Sequence, residues 1–208
     1  MMKQKVILVI AVLAIGIGVG WYFWPQPRAE WGPFELLRSE DARKELKLTE
    51  DQVSKIKILL DSSWKSYQQL GSAKENAPQK KKVRFDTFDA LEKTLTPEQL
   101  HRMVELQRQQ LGPATFYDPR TARVLELTAQ QKDKINDILE KFSLKRLELY
   151  DKKAFKKLAE LDKEILSEIM NVLDGEQKRG LNKMLGEPFK GKLPPPNYFP
   201  SPKKVREE

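Results

Sequence analysis

The sequence predicts an all-α protein, and three observations carry that prediction. Apolar residues recur at three- and four-residue intervals over most of the chain. A single helix-start motif is spelled four times. Strand signals are nearly absent, with no alternating β-branched runs and no Asn-Gly hairpin turns.

The N-terminus comes first. Val6 to Trp24 is nineteen residues without a charge. At about 1.5 Å per residue it would span roughly 28 Å as a helix, close to a bilayer's hydrocarbon thickness. Lys3 and Lys5 precede it, which favours a cytoplasmic N-terminus. Trp21, Tyr22, Phe23 and Trp24 stand where an interfacial aromatic belt would, and Pro25 and Pro27 stop the helix. Residues 1–24 therefore read as a transmembrane signal-anchor of a single-pass cell-membrane protein. A cleaved signal peptide is the alternative; Gly18 and Gly20 are small, but no A-x-A site exists. Either way the bulk of the chain is expected in the periplasm or another extracytoplasmic space. The chain has no Cys, which excludes lipoprotein attachment, disulfides and thiolate metal sites.

Residues 25–38, rich in Pro, Gly and aromatics, read as a juxtamembrane linker. The helix-start motif then appears as Leu48-Thr49-Glu50-Asp51-Gln52, Leu95-Thr96-Pro97-Glu98-Gln99, Leu127-Thr128-Ala129-Gln130-Gln131 and Leu173-Asp174-Gly175-Glu176-Gln177. Thr49, Thr96, Thr128 and Asp174 suit an N-cap, and Gln52, Gln99, Gln131 and Gln177 can each close a capping box. The leading Leu can begin a hydrophobic staple. Its partner would be Val53 or Leu100 in the first two copies, but is Lys132 or Lys178 in the last two. Thr49 to Thr128 is 79 positions and Thr96 to Asp174 is 78, so the region is a tandem duplication.

The first helical repeat is expected over 39–112. Ser39 can cap a short helix; Val53, Ile56, Leu60, Trp64 and Tyr67 line one face of the next. Gly71 to Pro78 breaks it, and Val83, Phe85, Phe88 and Leu91 line a second helix. Leu100, Met103, Val104 and Leu111 line a third, before Gly112-Pro113 ends the unit. The second repeat, 113–187, follows the same order from the Asp118 cap. Ile135, Ile138, Leu139 and Phe142 line one helix. Phe155, Leu158, Leu161, Ile165 and Ile169 line the next. No Gly or Pro lies between Thr128 and Asp174, so one long helix is the competing reading; the break in the first copy favours a hairpin turning near Tyr150-Asp151. Residues 188–208, with six prolines and several lysines, read as a disordered basic tail.

The charge is mixed, 38 Lys plus Arg against 30 Asp plus Glu, with signs alternating along the chain. That pattern describes a solvated helix surface with some affinity for acidic partners. His101 is the only histidine and cannot build a zinc set alone. No nucleophile–base pair, phosphate loop or nucleic-acid module is recognisable, so the expectation is a non-enzyme with no cofactor and no metal. The aromatics Trp64, Tyr67, Phe85, Phe88 and Phe142 are first of all core residues. A part of that stripe left open between helices would be the candidate partner-binding surface.

Leu-Thr-x-x-Gln, repeated before amphipathic helices at Leu48–Gln52, Leu95–Gln99 and Leu127–Gln131, resembles the LTxxQ-motif family. That family includes the Spy/CpxP-like periplasmic chaperones and envelope-stress regulators. The lead-in Arg43-Lys44-Glu45-Leu46-Lys47 also looks like that of planctomycete-type membrane-anchored proteins. The resemblance implies a helical unit that pairs into a cradle and holds unfolded clients without ATP. Two units in one chain would then form an intrachain pseudo-dimer, with homo-oligomerisation left open. Its implied function is a membrane-tethered, chaperone-like or stress-sensing binding module; the alternative is an adaptor docking one folded partner. A reporter fused after Glu208 tests the address. It should be active only if its chemistry needs the exported compartment, and activity of a strictly cytoplasmic reporter there would reverse the assignment.

Overall fold

The computed structural model describes residues 32–71 and 74–194, and these form helices and short 3-10 turns with no strand among them. The expected span Val6–Trp24 lies outside the described residues, among which no helix is long and apolar enough to cross a membrane. The first unit comprises α1 (Gly32–Glu35) with a 3-10 turn (Leu36–Arg38), α2 (Glu40–Glu45), α3 (Glu50–Gln69), a turn at Lys74–Asn76, α4 (Ala77–Thr94) and α5 (Pro97–Leu111). The second comprises a 3-10 turn (Gly112–Tyr117), α6 (Pro119–Val124), α7 (Ala129–Asp151), α8 (Phe155–Val172) and α9 (Gly175–Leu185). Helices α3 and α4 pack as one hairpin and α7 and α8 as another, while α5 meets α9 between the units.

The stretch from Thr128 to Asp174 is two helices. It turns through Lys152-Lys153-Ala154 with no glycine: Lys153 takes φ 53°, and its N–H and that of Ala154 return to the Tyr150 and Leu149 carbonyls. The same left-handed device ends α2 and α6. Lys47 at φ 50° and Glu126 at φ 49° stand 79 positions apart, each followed by a Leu whose N–H bonds five residues back. This is a Schellman ending, and it folds a helix end and the next helix start into four residues.

Two apolar cores result, one per unit. Ile56, Leu60, Tyr67, Leu91, Leu100, Met103 and Leu106 fill the first; Ile135, Leu139, Phe142, Leu161, Ile165, Ile169 and Leu181 fill the second. Leu60 and Leu139 are equivalent by the repeat interval and both are buried, as are Leu91 and Ile169. Two sequence boundaries need correction. Phe34, Leu36 and Leu37, expected in the linker 25–38, are buried in the first core. Residues 188–194, expected in the disordered tail, are ordered against the same core through Phe189 and Leu193. In both places a few apolar side chains find a core, which outweighs a Pro-rich and charged composition.

Each motif caps a helix, and all four capping boxes are complete. The glutamines also pair across each hairpin. Gln52 Nε2 donates to Gln99 Oε1 at 2.8 Å and Gln99 Nε2 donates to Gln52 Oε1 at 3.1 Å. The second unit repeats this between Gln131 and Gln177, at 2.7 and 3.0 Å. The spare donors reach helix-end carbonyls: Gln52 to Thr94 at 2.9 Å, Gln99 to Leu46 at 3.1 Å, and Gln131 to Val172 at 3.1 Å. One amide pair thus satisfies free N–H groups at two helix starts and free carbonyls at neighbouring helix ends.

A capping box alone accepts Glu as readily as Gln, with a small gain from the helix dipole. The amide pair does not, because a carboxylate has no N–H to donate. Gln99→Glu should therefore destabilise the fold by about 1–3 kcal/mol in denaturant titration at neutral pH. The deficit should shrink as pH falls below about 4, where a protonated Glu regains one donor. A neutral or stabilising Gln99→Glu would show that the glutamines only cap.

Candidate protein-binding surface

The five aromatics singled out by sequence do not form one open face. Tyr67 and Phe142 are buried in the two cores, Phe85 and Phe88 are half-buried, and Trp64 alone is exposed, at 37 %. Trp64 stacks on Tyr67 with centroids 5.9 Å apart and planes 9° apart. Lysines lie over three of the others: Lys80 Nζ is 4.8 Å from the Tyr67 ring, Lys81 5.6 Å from Phe85 and Lys141 4.5 Å from Phe142. Such contacts hide ring faces beneath solvated ammonium groups. The expectation of a shared partner-binding stripe is corrected for Tyr67 and Phe142, whose rings are spent on packing.

Apolar surface is left open elsewhere, at the free end of the second hairpin. Leu144 is 73 % exposed, Leu147 41 % and Phe155 40 %. Leu144, Leu147 and Tyr150 follow at three-residue spacing along the outer side of α7. Tyr150 meets Phe155 edge-on across the turn, with centroids 6.1 Å apart. Sequence reading placed Phe155 on the inward face. It lies one turn before Leu158, where α8 has already run past the core, and the Lys153 turn carries it outward. Lys145, Lys152, Lys153, Lys156 and Lys157 are exposed along these two helix ends, with Glu140, Glu148, Asp151 and Glu160 exposed among them. Glu148 pairs with Lys152 at 2.6 Å, which holds its carboxyl below the usual range by that hydrogen bond and charge. The net result is an apolar knob in a mixed rim with lysines in slight excess.

A buried ion pair stiffens the hairpin behind it. Arg146 Nε and Nη2 donate to the two Asp162 oxygens at 2.6 and 3.3 Å. By the repeat interval these positions match Tyr67 and Arg84, so the two units fill the same place with different chemistry. Burial pushes the Asp162 carboxyl up, with Arg146 opposing it, and burial likewise pushes up the Tyr117 phenol on the adjoining turn. Asp162 also lies against the lead-in turn 112–117, its Oδ2 3.6 Å from where a Cβ on Gly112 would stand. Among the described residues no group of His, Asp and Glu is arranged to hold a metal ion, and exposed His101 pairs only with Glu105, at 3.1 Å.

Comparison of the chain with protein-family models, with curated proteins and with solved structures finds no match.

The Asp162 shift carries a sign that can be tested. A carboxyl raised in the folded state contributes most when protonated, so its contribution falls as pH rises from 3.8 through the raised value. The stability of the wild type relative to Asp162→Asn should therefore decline over that range in parallel chemical unfolding. A difference that grows with pH would contradict burial as the dominant cause. Asp162→Ala should still cost about 3 kcal/mol, because it leaves the Arg146 charge buried without its carboxylate.

Proposed function

We propose that this protein is a membrane-tethered, extracytoplasmic protein-binding module that works without ATP, held to the membrane by Val6–Trp24. The observation that carries the reading is the apolar knob at the end of the second hairpin, Leu144, Leu147 and Phe155 in a rim of five lysines. An exposed apolar cluster on a helix end removes water when a partner covers it, and the rim favours partners with acidic flanks. The address comes from the uncharged N-terminal stretch, and the class from the LTxxQ resemblance. No catalytic step and no cofactor are assigned.

Of the two forms, docking of one folded partner fits the geometry better than an open cradle. Tyr67 and Phe142 lie inside the cores, which removes the stripe a cradle would use. The chaperone-like form keeps one specific support, the non-helical segment held against the first unit by Phe189 and Leu193.

The absence of cysteine permits one clean test. Ala154→Cys, at the hairpin turn, carries a photo-crosslinker in the full membrane-bound chain. A single stoichiometric adduct supports the adaptor form, and a broad adduct set supports the chaperone-like form. Either should fall about tenfold in Leu144→Ser/Leu147→Ser, which leaves the fold within about 1 kcal/mol because both side chains are exposed and only helix propensity is lost. Adducts indifferent to that double substitution would refute the knob as the binding surface.

A further inference from the structure

The segment after α9 returns to the first unit, and its backbone is read there by side chains. Gln109 is the main reader. Its Nε2 donates to the Leu185 carbonyl at 2.6 Å and the Glu187 carbonyl at 2.8 Å, and its Oε1 accepts from the Phe189 N–H at 2.9 Å. Gln110, itself buried, donates to the Pro194 carbonyl at 2.9 Å. Asp41 accepts the Lys192 N–H at 2.8 Å, and the Ser39 hydroxyl donates to the Lys192 carbonyl at 3.4 Å. Phe189 and Leu193 complete the contact by packing on the first core.

Every one of these six bonds goes to backbone, one to the end of α9 at Leu185 and five to the segment itself, so the site does not depend on which side chains the segment carries, apart from two. Phe189 and Leu193, four residues apart, are the apolar pegs. A surface that reads main chain by side-chain amides and carboxylate, with two apolar sockets, is a receptor for irregular polypeptide. It differs from the knob, which has no backbone readers.

We propose that the face of the first unit formed by Ser39, Asp41, Gln109 and Gln110 is an exchangeable binding site for a non-helical segment of another polypeptide, with an aromatic side chain and an aliphatic one four residues on. The chain's own residues 186–194 fill it at rest and show the geometry a foreign segment adopts. This deepens the protein-binding reading and rests on it, but through a different surface, so loss of one does not entail loss of the other.

The resident segment is joined directly to α9, and its local concentration is on the order of mM or more. A micromolar peptide should therefore compete poorly against the intact chain and well against a chain whose own pegs are removed. Arg108 on α5 donates to the Met184 carbonyl at 2.9 Å, so the end of α9 stays docked on α5 when the segment leaves.

The probe is a fluorescein-labelled peptide of residues 186–194, titrated by anisotropy into the full chain. The double variant Phe189→Ser/Leu193→Ser should bind it at least tenfold more tightly than wild type. Adding Gln109→Ala should abolish the gain, as should a peptide with both pegs replaced by Ser. An arm without substitutions guards against misfolding of the double variant. Millimolar unlabelled peptide should speed hydrogen exchange at the Phe189 and Lys192 amides of wild type several-fold. Unchanged exchange, a folded double variant with no gain, or equal binding of the pegless peptide would each overturn the proposal. So would a segment that passes only between copies of this chain, seen as a dimer lost in the double variant. Knob cross-linking that persists through any of these failures would leave the broader protein-binding reading standing.

Discussion

The paired glutamine amides at the foot of each hairpin are the constraint on which the rest of the structure depends. Four helix ends converge there, and each brings backbone groups that its own helix cannot satisfy. A reciprocal pair of primary amides is suited to the place because each supplies two donors and an acceptor oxygen able to take two bonds. Gln52 uses all four positions, on Thr49, Thr94 and both ends of Gln99. The pair fixes where each hairpin starts relative to the next helix. It thereby fixes which faces turn inward, and Ile56, Leu60 and Leu91 meet as a consequence. The free end of the hairpin is then determined by helix length alone, and Leu144 and Phe155 are carried out beyond the core.

The two units share that foot and differ above it. The left-handed residues Lys47 and Glu126, the paired glutamines and the buried Leu60 and Leu139 recur at the repeat interval. Toward the free ends of the hairpins the chemistry diverges, from Tyr67 and Arg84 to Arg146 and Asp162. An ion pair that spans α7 and α8 ties the second hairpin together by charge, where in the first the Lys80 ammonium of α4 lies over the Tyr67 ring of α3. The second hairpin is thus held near its end by an ion pair as well as by Leu149 and Leu158, while Leu147 and Phe155 face outward.

The two units are coupled at their margins and keep separate cores. Arg108 and Gln109 on α5 take the carbonyls at the end of α9, at 2.9 and 2.6 Å. Gly186 has no side chain to collide with Glu105 there, and any Cβ would. The returning segment then covers the first core, so the chain's last described residues and its first ones, Phe34 to Leu37, pack on the same cluster. Neither contact was legible beforehand. Each joins residues over 70 positions apart, and a composition reading weighs Pro188, Pro194 and the lysines without seeing what Phe189 and Leu193 can reach.

What the sequence determined by itself is the local physics. Helix starts follow from Thr or Asp followed three residues later by Gln, helix faces from three- and four-residue spacing, and the duplication from a repeated interval, because each of these is stored within a few neighbouring residues. Tertiary structure decided which partner each motif residue met. A capping glutamine and a bridging glutamine are the same letter, and only the approach of a second helix start at Gln99 or Gln177 gives the amide N–H groups something to bind. Tertiary structure also decided which aromatics are covered. Periodicity puts Tyr67 and Phe155 on inward faces alike, but burial depends on how far a neighbouring helix extends, and no local pattern records that length.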